Sequence, residues 1–278
     1  MDSKEIKERL RAEGFRPRKS LGQNFLSDPR TIERIVQAAE IGPEDLVLEI
    51  GPGAGFLTLE LARRAGEVIA VEVDRRLIPL LEEVLAPYPG ARVVAGDILK
   101  VDLPALLANR SAKVVANLPY YITTPVLFRL LEHRRLFPLM VLMVQKEVAR
   151  RMTASPGSKE YGALTVNLAL YTKVEYLFTV PAGLFWPRPE VDSAVVRLRV
   201  FSKPFYPVGD EGLFARVVQA LFGQRRKTAA NALSHGLGIA REEAEKVLLA
   251  AGVDPGRRGE TLSVEEFARL GQILAERK

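Results

Sequence analysis

The chain has 278 residues, 47% hydrophobic and 27% charged. That is a globular composition, and at ~150 residues per domain the length suggests about two domains with a buried core. With no cysteine and only two histidines, His133 and His235, the sequence excludes disulfides, cysteine nucleophiles and multi-histidine metal sites. No apolar run approaches the ~20 residues of a membrane helix, and the opening Asp2, Lys4, Glu5, Lys7, Glu8 is not a signal-peptide pattern, so a cytoplasmic protein is expected.

The net charge is +6, unevenly placed: residues 21–100 carry −5, residues 101–200 carry +6. Arginine outnumbers lysine 28 to 12, with clusters at Arg16-Pro17-Arg18-Lys19, Arg150-Arg151, Arg225-Arg226-Lys227 and Arg257-Arg258. Such clusters attract phosphate backbones, and arginine suits bidentate phosphate contact. Charge runs are also ordinary solvated faces, and few Met, Asn and Gln fit heat adaptation equally well.

In chain order, Asp28-Pro29 predicts an N-cap and a helix to residue 39. Residues 46–50 form an apolar run ending in glycines, the mark of a buried strand. A helix over 56–64 follows, then a strand at 68–71 and a helix over 75–85 capped by Asp74. Further strands are predicted at 92–95, 113–116 and 139–144, with a helix from Thr123 or Thr124 to His133 before the last of these. Strands alternating with helices predict a parallel sheet covered on both faces. Residues 154–160 are turn-rich. Two more strands are expected at 174–179 and 191–200, then helices at 212–222, 228–233, 241–250 and 264–276. A domain join is placed at Ser202-Lys203-Pro204-Phe205-Tyr206-Pro207, giving domains 1–205 and 206–278.

The first strand runs into Gly51-Pro52-Gly53-Ala54-Gly55 and then a helix. A dinucleotide site would use G-x-G-x-x-G; this spacing is one residue shorter. A nicotinamide dehydrogenase is therefore disfavoured, and a nucleoside–amino-acid ligand fits better. Glu72, ending the next strand, is placed to accept both ribose hydroxyls, and Asp97, after the third, to bond an adenine amino group. Each alone is an ordinary strand-end acid. Together on one rim of the sheet, with Glu49 beside the glycines, they point to S-adenosylmethionine.

The fourth strand ends in Asn117-Leu118-Pro119-Tyr120. This resembles the Asn/Asp-x-Pro-aromatic tetrad of methyltransferases acting on exocyclic amino nitrogens. Adenine N6 is a poor nucleophile because its lone pair is delocalised into the ring. Two acceptors, the Asn117 side-chain oxygen and the Leu118 carbonyl, would hold both N–H bonds out of plane. Pro119 stiffens the turn and Tyr120 offers a stacking face. The base must be flipped out or already unpaired to reach such a pocket.

Five motifs stand in order: Leu21-Gly22-Gln23-Asn24-Phe25-Leu26, Glu49-Ile50-Gly51-Pro52-Gly53-Ala54-Gly55, Asn117-Leu118-Pro119-Tyr120, Phe185-Trp186-Pro187-Arg188-Pro189-Glu190-Val191-Asp192-Ser193, and Gln224-Arg225-Arg226-Lys227-Thr228. Together, over residues 16–271, they closely resemble the small-subunit ribosomal RNA adenine dimethyltransferases, the kasugamycin-sensitivity family of bacteria. The resemblance implies an α/β fold: a Rossmann-like methyltransferase sheet with a small all-helical C-terminal domain. It implies that Asn24, Leu26, Gly51, Gly53, Glu72, Asp97 and Asn117 hold the cofactor. It implies that Phe185, otherwise read as core, is a second aromatic wall of the base pocket opposite Tyr120. The implied substrate is a pair of adjacent adenosines in a hairpin loop near the 3′ end of small-subunit ribosomal RNA, each methylated twice at N6. The C-terminal domain would dock the assembling subunit, with Arg225, Arg226 and Lys227 on phosphates; the same triplet could instead cap a helix. A monomer without metal is the family default. Tyr121 and Ala229 depart from the family pattern, where more polar and more aliphatic residues are expected. Two alternatives remain: the resistance-type dimethyltransferase of large-subunit ribosomal RNA, and an RNA-binding assembly factor with a vestigial site.

Overall fold

A computed structural model describes residues 2–224 and 226–277. By compactness the chain divides into two units, residues 1–149 with 175–200, and residues 150–174 with 201–278. The segment 150–174 groups with the C-terminal residues, so the units do not follow the single join expected near residue 205.

The first unit starts with α1 (Ser3–Ala12), which the sequence reading did not anticipate. Asp2 and Glu5 form its capping box, and Ile6 and Leu10 are its buried stripe. After β1 (Phe25–Leu26), the Asp28 carboxylate caps α2 (Pro29–Ala38) by accepting from the Thr31 N–H at 2.9 Å. Then follow β2 (Leu46–Ile50), α3 (Phe56–Ala62), β3 (Glu67–Glu72), α4 (Ile78–Leu85), β4 (Ala91–Ala95), the short α5 (Leu103–Leu106), β5 (Lys113–Asn117), α6 (Thr123–Glu132) and β6 (Leu139–Gln145). Asp74 caps a 3-10 turn (Arg75–Leu77) that leads into α4. The helix α6 starts at Thr123, one of the two expected positions, and the Thr123 hydroxyl donates to the Pro119 carbonyl at 3.2 Å, tying helix to loop.

The rest of the chain comprises α7 (Lys146–Met152), α8 (Ala163–Tyr171), β7 (Thr172–Val180), β8 (Phe185–Trp186), β9 (Ser193–Val200), α9 (Glu211–Gly223), α10 (Ala229–Leu237), α11 (Arg241–Ala250) and α12 (Val264–Ala275). Seven strands form one sheet in the order β4-β3-β2-β5-β6-β9-β7. The β4-β3-β2-β5-β6 part is parallel, and β9 joins β6 antiparallel. All five residues of β2 and six of the seven in β6 are buried, as a strand covered on both faces requires. Sequence order reverses between β2 and β5. Ligands of such sheets bind outside the carboxyl ends of the strands at that switch point. Separately, β1 and β8 pair antiparallel, Phe25 opposite Trp186 and Leu26 opposite Phe185.

The second unit is helical. Phe214 and Phe267 are fully buried there, Phe222 stacks on Phe267 at 5.5 Å, and Tyr161 meets Phe222 edge-on at 5.8 Å. The buried Tyr161 hydroxyl donates to the Leu262 carbonyl at 2.8 Å, which closes the turn-rich 154–160 segment onto the start of α12. Among the described residues no helix is long and apolar enough to cross a membrane, and no cluster of three acidic or histidine side chains could hold a metal. Tyr161→Phe leaves that buried carbonyl without its donor and should cost about 1–3 kcal/mol of stability, read as a lowered thermal midpoint; an unchanged midpoint would show that the bond contributes nothing net.

Candidate active site

A cleft of about 360 Å³ opens at the carboxyl ends of β2, β3, β4 and β5. It is built from five short segments of the first unit and Met143 of β6. The glycine loop after β2 forms one side. Gly53 has φ +58°, and a Cβ there would lie 2.8 Å from the Phe25 ring, so only glycine lets Phe25 pack on the loop. Gly55, at φ +88°, then turns the chain into α3.

The sequence 16–26 crosses this loop as a strap, and its anchor is Asp74. That carboxylate is almost fully buried. It accepts from Gln23 Nε2 at 2.9 Å and from Arg76 Nη2 at 2.6 Å, and lies 3.9 Å from Arg18 Nη1. Gln23 Oε1 accepts in turn from the Arg18 N–H at 2.7 Å, and Arg76 Nη1 reaches the Arg16 carbonyl at 3.3 Å. The Arg76 guanidinium, above all, holds Asp74 down to about 2. Part of the Arg16–Lys19 cluster is thus engaged within the protein.

Glu72 sits two residues before Asp74, 4% exposed, and accepts from the N–H groups of Gly53 at 3.0 Å and Asp74 at 2.8 Å. Burial raises its carboxyl above the ordinary range against the pull of these bonds. Asp97, past β4, accepts from the Leu99 N–H at 3.0 Å. Glu49 is 1% exposed, with Ala70 and Val115 beside it in the ladder, and its Oε2 has no hydrogen-bond partner among the described residues. Burial pushes Glu49 up to about 8, the Thr58 hydroxyl opposing and the Glu72 charge adding. Of the 28 lining residues three are carboxylic acids, Glu49, Glu72 and Asp97, and none is lysine or arginine. In a chain of net charge +6 this cleft suits a cation and repels a phosphate backbone.

On the far wall Asn117, ending β5, donates from Nδ2 to the Asn24 carbonyl at 3.0 Å. Asn24 Nδ2 in turn donates to the Gly22 carbonyl at 3.1 Å. The donor side of the Asn117 amide faces the strap, which leaves its oxygen as an acceptor. The Leu118 N–H is held by the Met143 carbonyl at 3.0 Å. Tyr120 is half-buried, and its hydroxyl shares a 2.8 Å hydrogen bond with the Ser193 hydroxyl, fully buried at the start of β9. Tyr121, 55% exposed, lies over Gly22 at the cleft mouth.

The cleft thus gathers Asn24, Leu26, Gly51, Gly53, Glu72, Asp97, Asn117, Leu118, Pro119 and Tyr120. Phe185 is not on its lining: it is 6% exposed in the hydrophobic core opposite Leu26, while its neighbour Trp186 is 49% exposed against Phe25. Arg226 and Lys227 belong to the second unit, and Arg225 lies outside the described residues. The helix after that triplet is capped by the Thr228 hydroxyl, not by the basic side chains. Asp74, Ser193 and Tyr121 were not singled out as site residues from the sequence. Asp74 and Ser193 did stand in the quoted motifs or beside them, but their partners are far away in sequence.

A raised carboxyl takes up a proton on folding, so Glu49 makes the cofactor-free protein less stable as pH rises from about 4.5 to about 8. Glu49→Gln removes this loss. The variant should melt higher than the parent at pH 8, the gap closing toward pH 4.5; a gap independent of pH would show that Glu49 does not titrate in that window.

The family described as Ribosomal RNA adenine dimethylase matches residues 14–276. Relatives called Ribosomal RNA small subunit methyltransferase A include one from Moorella thermoacetica, 52% identical over 95% of each chain, and one from Geobacillus kaustophilus, 50% identical over 98% of this chain and 95% of the relative. Among solved structures, a dimethyladenosine transferase from Plasmodium falciparum superposes with a TM-score of 0.77 at 29% identity, covering 87% of this chain and 94% of that one. The 23S rRNA methyltransferase ErmE superposes at 0.70 with 32% identity, covering 90% and 99%. With its methyltransferase sheet, its strand-end acids and these relatives at half identity over nearly full length, the chain belongs to the ribosomal RNA adenine dimethylase family, on the side of the small-subunit enzymes.

Proposed function

We propose that the chain binds S-adenosylmethionine in the anionic cleft and methylates N6 of two adjacent adenosines in a 3′-terminal hairpin loop of small-subunit ribosomal RNA, twice each. The observation that carries this reading is the Asn117–Asn24 hydrogen bond. It joins the tetrad loop to the strap and turns the amide oxygen into a fixed acceptor at the edge of a cleft whose lining holds carboxylic acids and no lysine or arginine.

The residues present fit this cofactor. Glu72 would take the ribose hydroxyls, Asp97 the adenine amino group, and the loop of Gly51 and Gly53 the amino-acid end, with Asn24 and Leu26 closing from the strap. The unpartnered Glu49 oxygen adds a buried polar atom that a ligand group could satisfy. When bound, S-adenosylmethionine supplies an electrophilic methyl group on a positively charged sulfur.

The protein's own part is positioning. Asn117 Oδ1 and the Leu118 carbonyl accept the two N6–H bonds and turn the amino group out of the ring plane, which localises its lone pair. The lone pair so presented is what the methyl group of bound S-adenosylmethionine would meet, and the amino proton would be released to solvent. No strong base is required, because orientation and fixed acceptors supply the barrier reduction. Pro119 stiffens the loop. Tyr120 offers its ring to the base, and the Ser193 hydrogen bond sets the ring's angle. Phe185 would serve as the second wall only from the β1–β8 ribbon, where it now packs in the core. Arg225, Arg226 and Lys227 of the second unit would hold phosphates of the assembling subunit in the cytoplasm. A monomer that must grip an immature subunit to reach its loop would also act as an assembly checkpoint.

The deciding assay uses tritiated S-adenosylmethionine with small and large ribosomal subunits lacking the modification. N6,N6-dimethyladenosine is expected in small-subunit RNA alone; label in the large subunit would overturn the substrate, and no label would overturn the chemistry. Glu72→Ala should chiefly weaken cofactor binding and Asn117→Ala chiefly lower kcat, and equal effects on both parameters would contradict that division. Ser193→Ala and Tyr120→Phe should each lower kcat several-fold at unchanged cofactor affinity, the double variant matching either single one. Additive losses would mean that the shared hydrogen bond is not what positions the ring.

A further inference from the structure

The second unit has a groove of about 340 Å³ between α9 and α10. Its α9 side is the stripe Arg216, Gln219, Ala220 and Gly223, residues that share one helix face, with Gln224 just beyond; its α10 side is His235 and Gly236. The floor is nearly bare backbone. A Cβ on Gly236 would fall 2.3 Å from the Ala220 Cβ, so the two helices cross in direct contact there and the rims stand above them.

The rim chemistry is unlike that of the methylation cleft. Arg216 brings a cation, Gln219 and Gln224 bring amides, His235 brings an imidazole, and no carboxylate lines the groove. Gln224 Nε2 and His235 Nδ1 lie 2.8 Å apart in a hydrogen bond that bridges the loop and α10. A turn closed by the Lys227 N–H on the Gln224 carbonyl at 2.9 Å then keeps exposed Arg226 and Lys227 within one turn of the rim. Arg216, Arg226 and Lys227 take part in no ion pair among the described residues, whereas Arg257 of the same unit is paired with Glu266 at 2.6 Å.

We propose that this groove is a nucleotide-binding site for an unpaired base of ribosomal RNA: the base lies on the Ala220–Gly236 floor, Gln219, Gln224 and His235 read its edge, and Arg216, Arg226 and Lys227 hold the flanking phosphates. The pattern matches how proteins read RNA. Neutral donors and acceptors address the edges of splayed bases, and cations address the backbone. A groove for phosphate alone would not need two amides and an imidazole tethered to one of them. The inference rests on the reading of the second unit as the part that docks RNA.

Salt dependence separates the two kinds of contact. Each phosphate contact contributes about one unit to the slope of log affinity against log salt, and a base-edge contact contributes none. Affinity for small subunits lacking the modification is measured between roughly 0.05 and 0.2 M salt at one fixed pH. The paired substitution Gln219→Ala with His235→Ala, both at exposed positions, should weaken binding roughly tenfold at every salt, with the slope unchanged and cofactor affinity intact. Arg226→Ala and Lys227→Ala should each flatten the slope by about one. A p-benzoylphenylalanine replacing Gln219 should crosslink to RNA.

Unchanged affinity in the Gln219/His235 variant, with the slope flattened by the arginine and lysine variants, would overturn the base site and leave the docking reading standing. A flattened slope in the Gln219/His235 variant would make the groove a phosphate site, and crosslinks to ribosomal protein alone would make it a protein contact; either overturns the proposal. If none of the variants changes binding, the docking reading itself fails.

Discussion

Three carboxylic acids brought to one rim of a parallel sheet, with no cation among them, are the constraint around which the first unit is built. Burying acids is costly unless backbone N–H groups or a ligand compensate. Glu72 is compensated by the N–H groups of Gly53 and Asp74, so the glycine loop and the end of β3 are locked to each other through it. Glu49 is not compensated, and burial keeps it protonated until about pH 8. Such a cleft gains most from a positively charged ligand, and a cationic methyl donor is one.

The next residue in this arrangement is Asp74. It is spent entirely within the protein, on Gln23, Arg76 and Arg18, and so it joins the N-terminal strap to the strand that presents Glu72. Asn117 joins the same strap from the opposite side through the Asn24 carbonyl. Asp74 and Asn117 therefore hold one shared segment from two sides of the cleft, and a change in the strap should be felt on both. In the second unit the groove between α9 and α10 is lined instead by Arg216, Gln219, Gln224 and His235, with no acid among its lining residues. An acid-bearing cleft without a cation disfavours a polyanion, whereas a groove without acids does not.

Much of this was legible in the sequence because it is local. The run Leu46 to Ile50 into Gly51, Gly53 and Gly55 specifies strand, turn and helix by residue type alone, and β2 and α3 lie where that pattern placed them. Glu72, Asp97 and Asn117 were legible as strand ends, and parallel strands bring their ends to one rim. Other elements were hidden for physical reasons. In α8, Leu164, Val166, Leu168 and Leu170 are all buried, so the helix has no polar stripe and its alternation imitates a strand. The two-residue strands β1 and β8 are too short to show a period and exist only because they meet each other.

What the sequence by itself determined is the chemistry available: the glycine turn, the acids at strand ends, the Asn-Leu-Pro-Tyr tetrad, and the exclusion of cysteine chemistry and multi-histidine metal sites. What only the tertiary structure decided is which groups act together. Asn117 meets Asn24 across 93 residues, Tyr120 meets Ser193 across 73, and Gln23 meets Asp74 across 51. Phe185 is packed in the core and not on the cleft as the resemblance implied, because its strand faces Leu26. Side-chain period and turn chemistry act over a few residues and can be read along the chain. Desolvation and hydrogen-bond partnership depend on what the fold brings alongside, and they set the proton on Glu49, the acceptor face of Asn117 and the groove between α9 and α10.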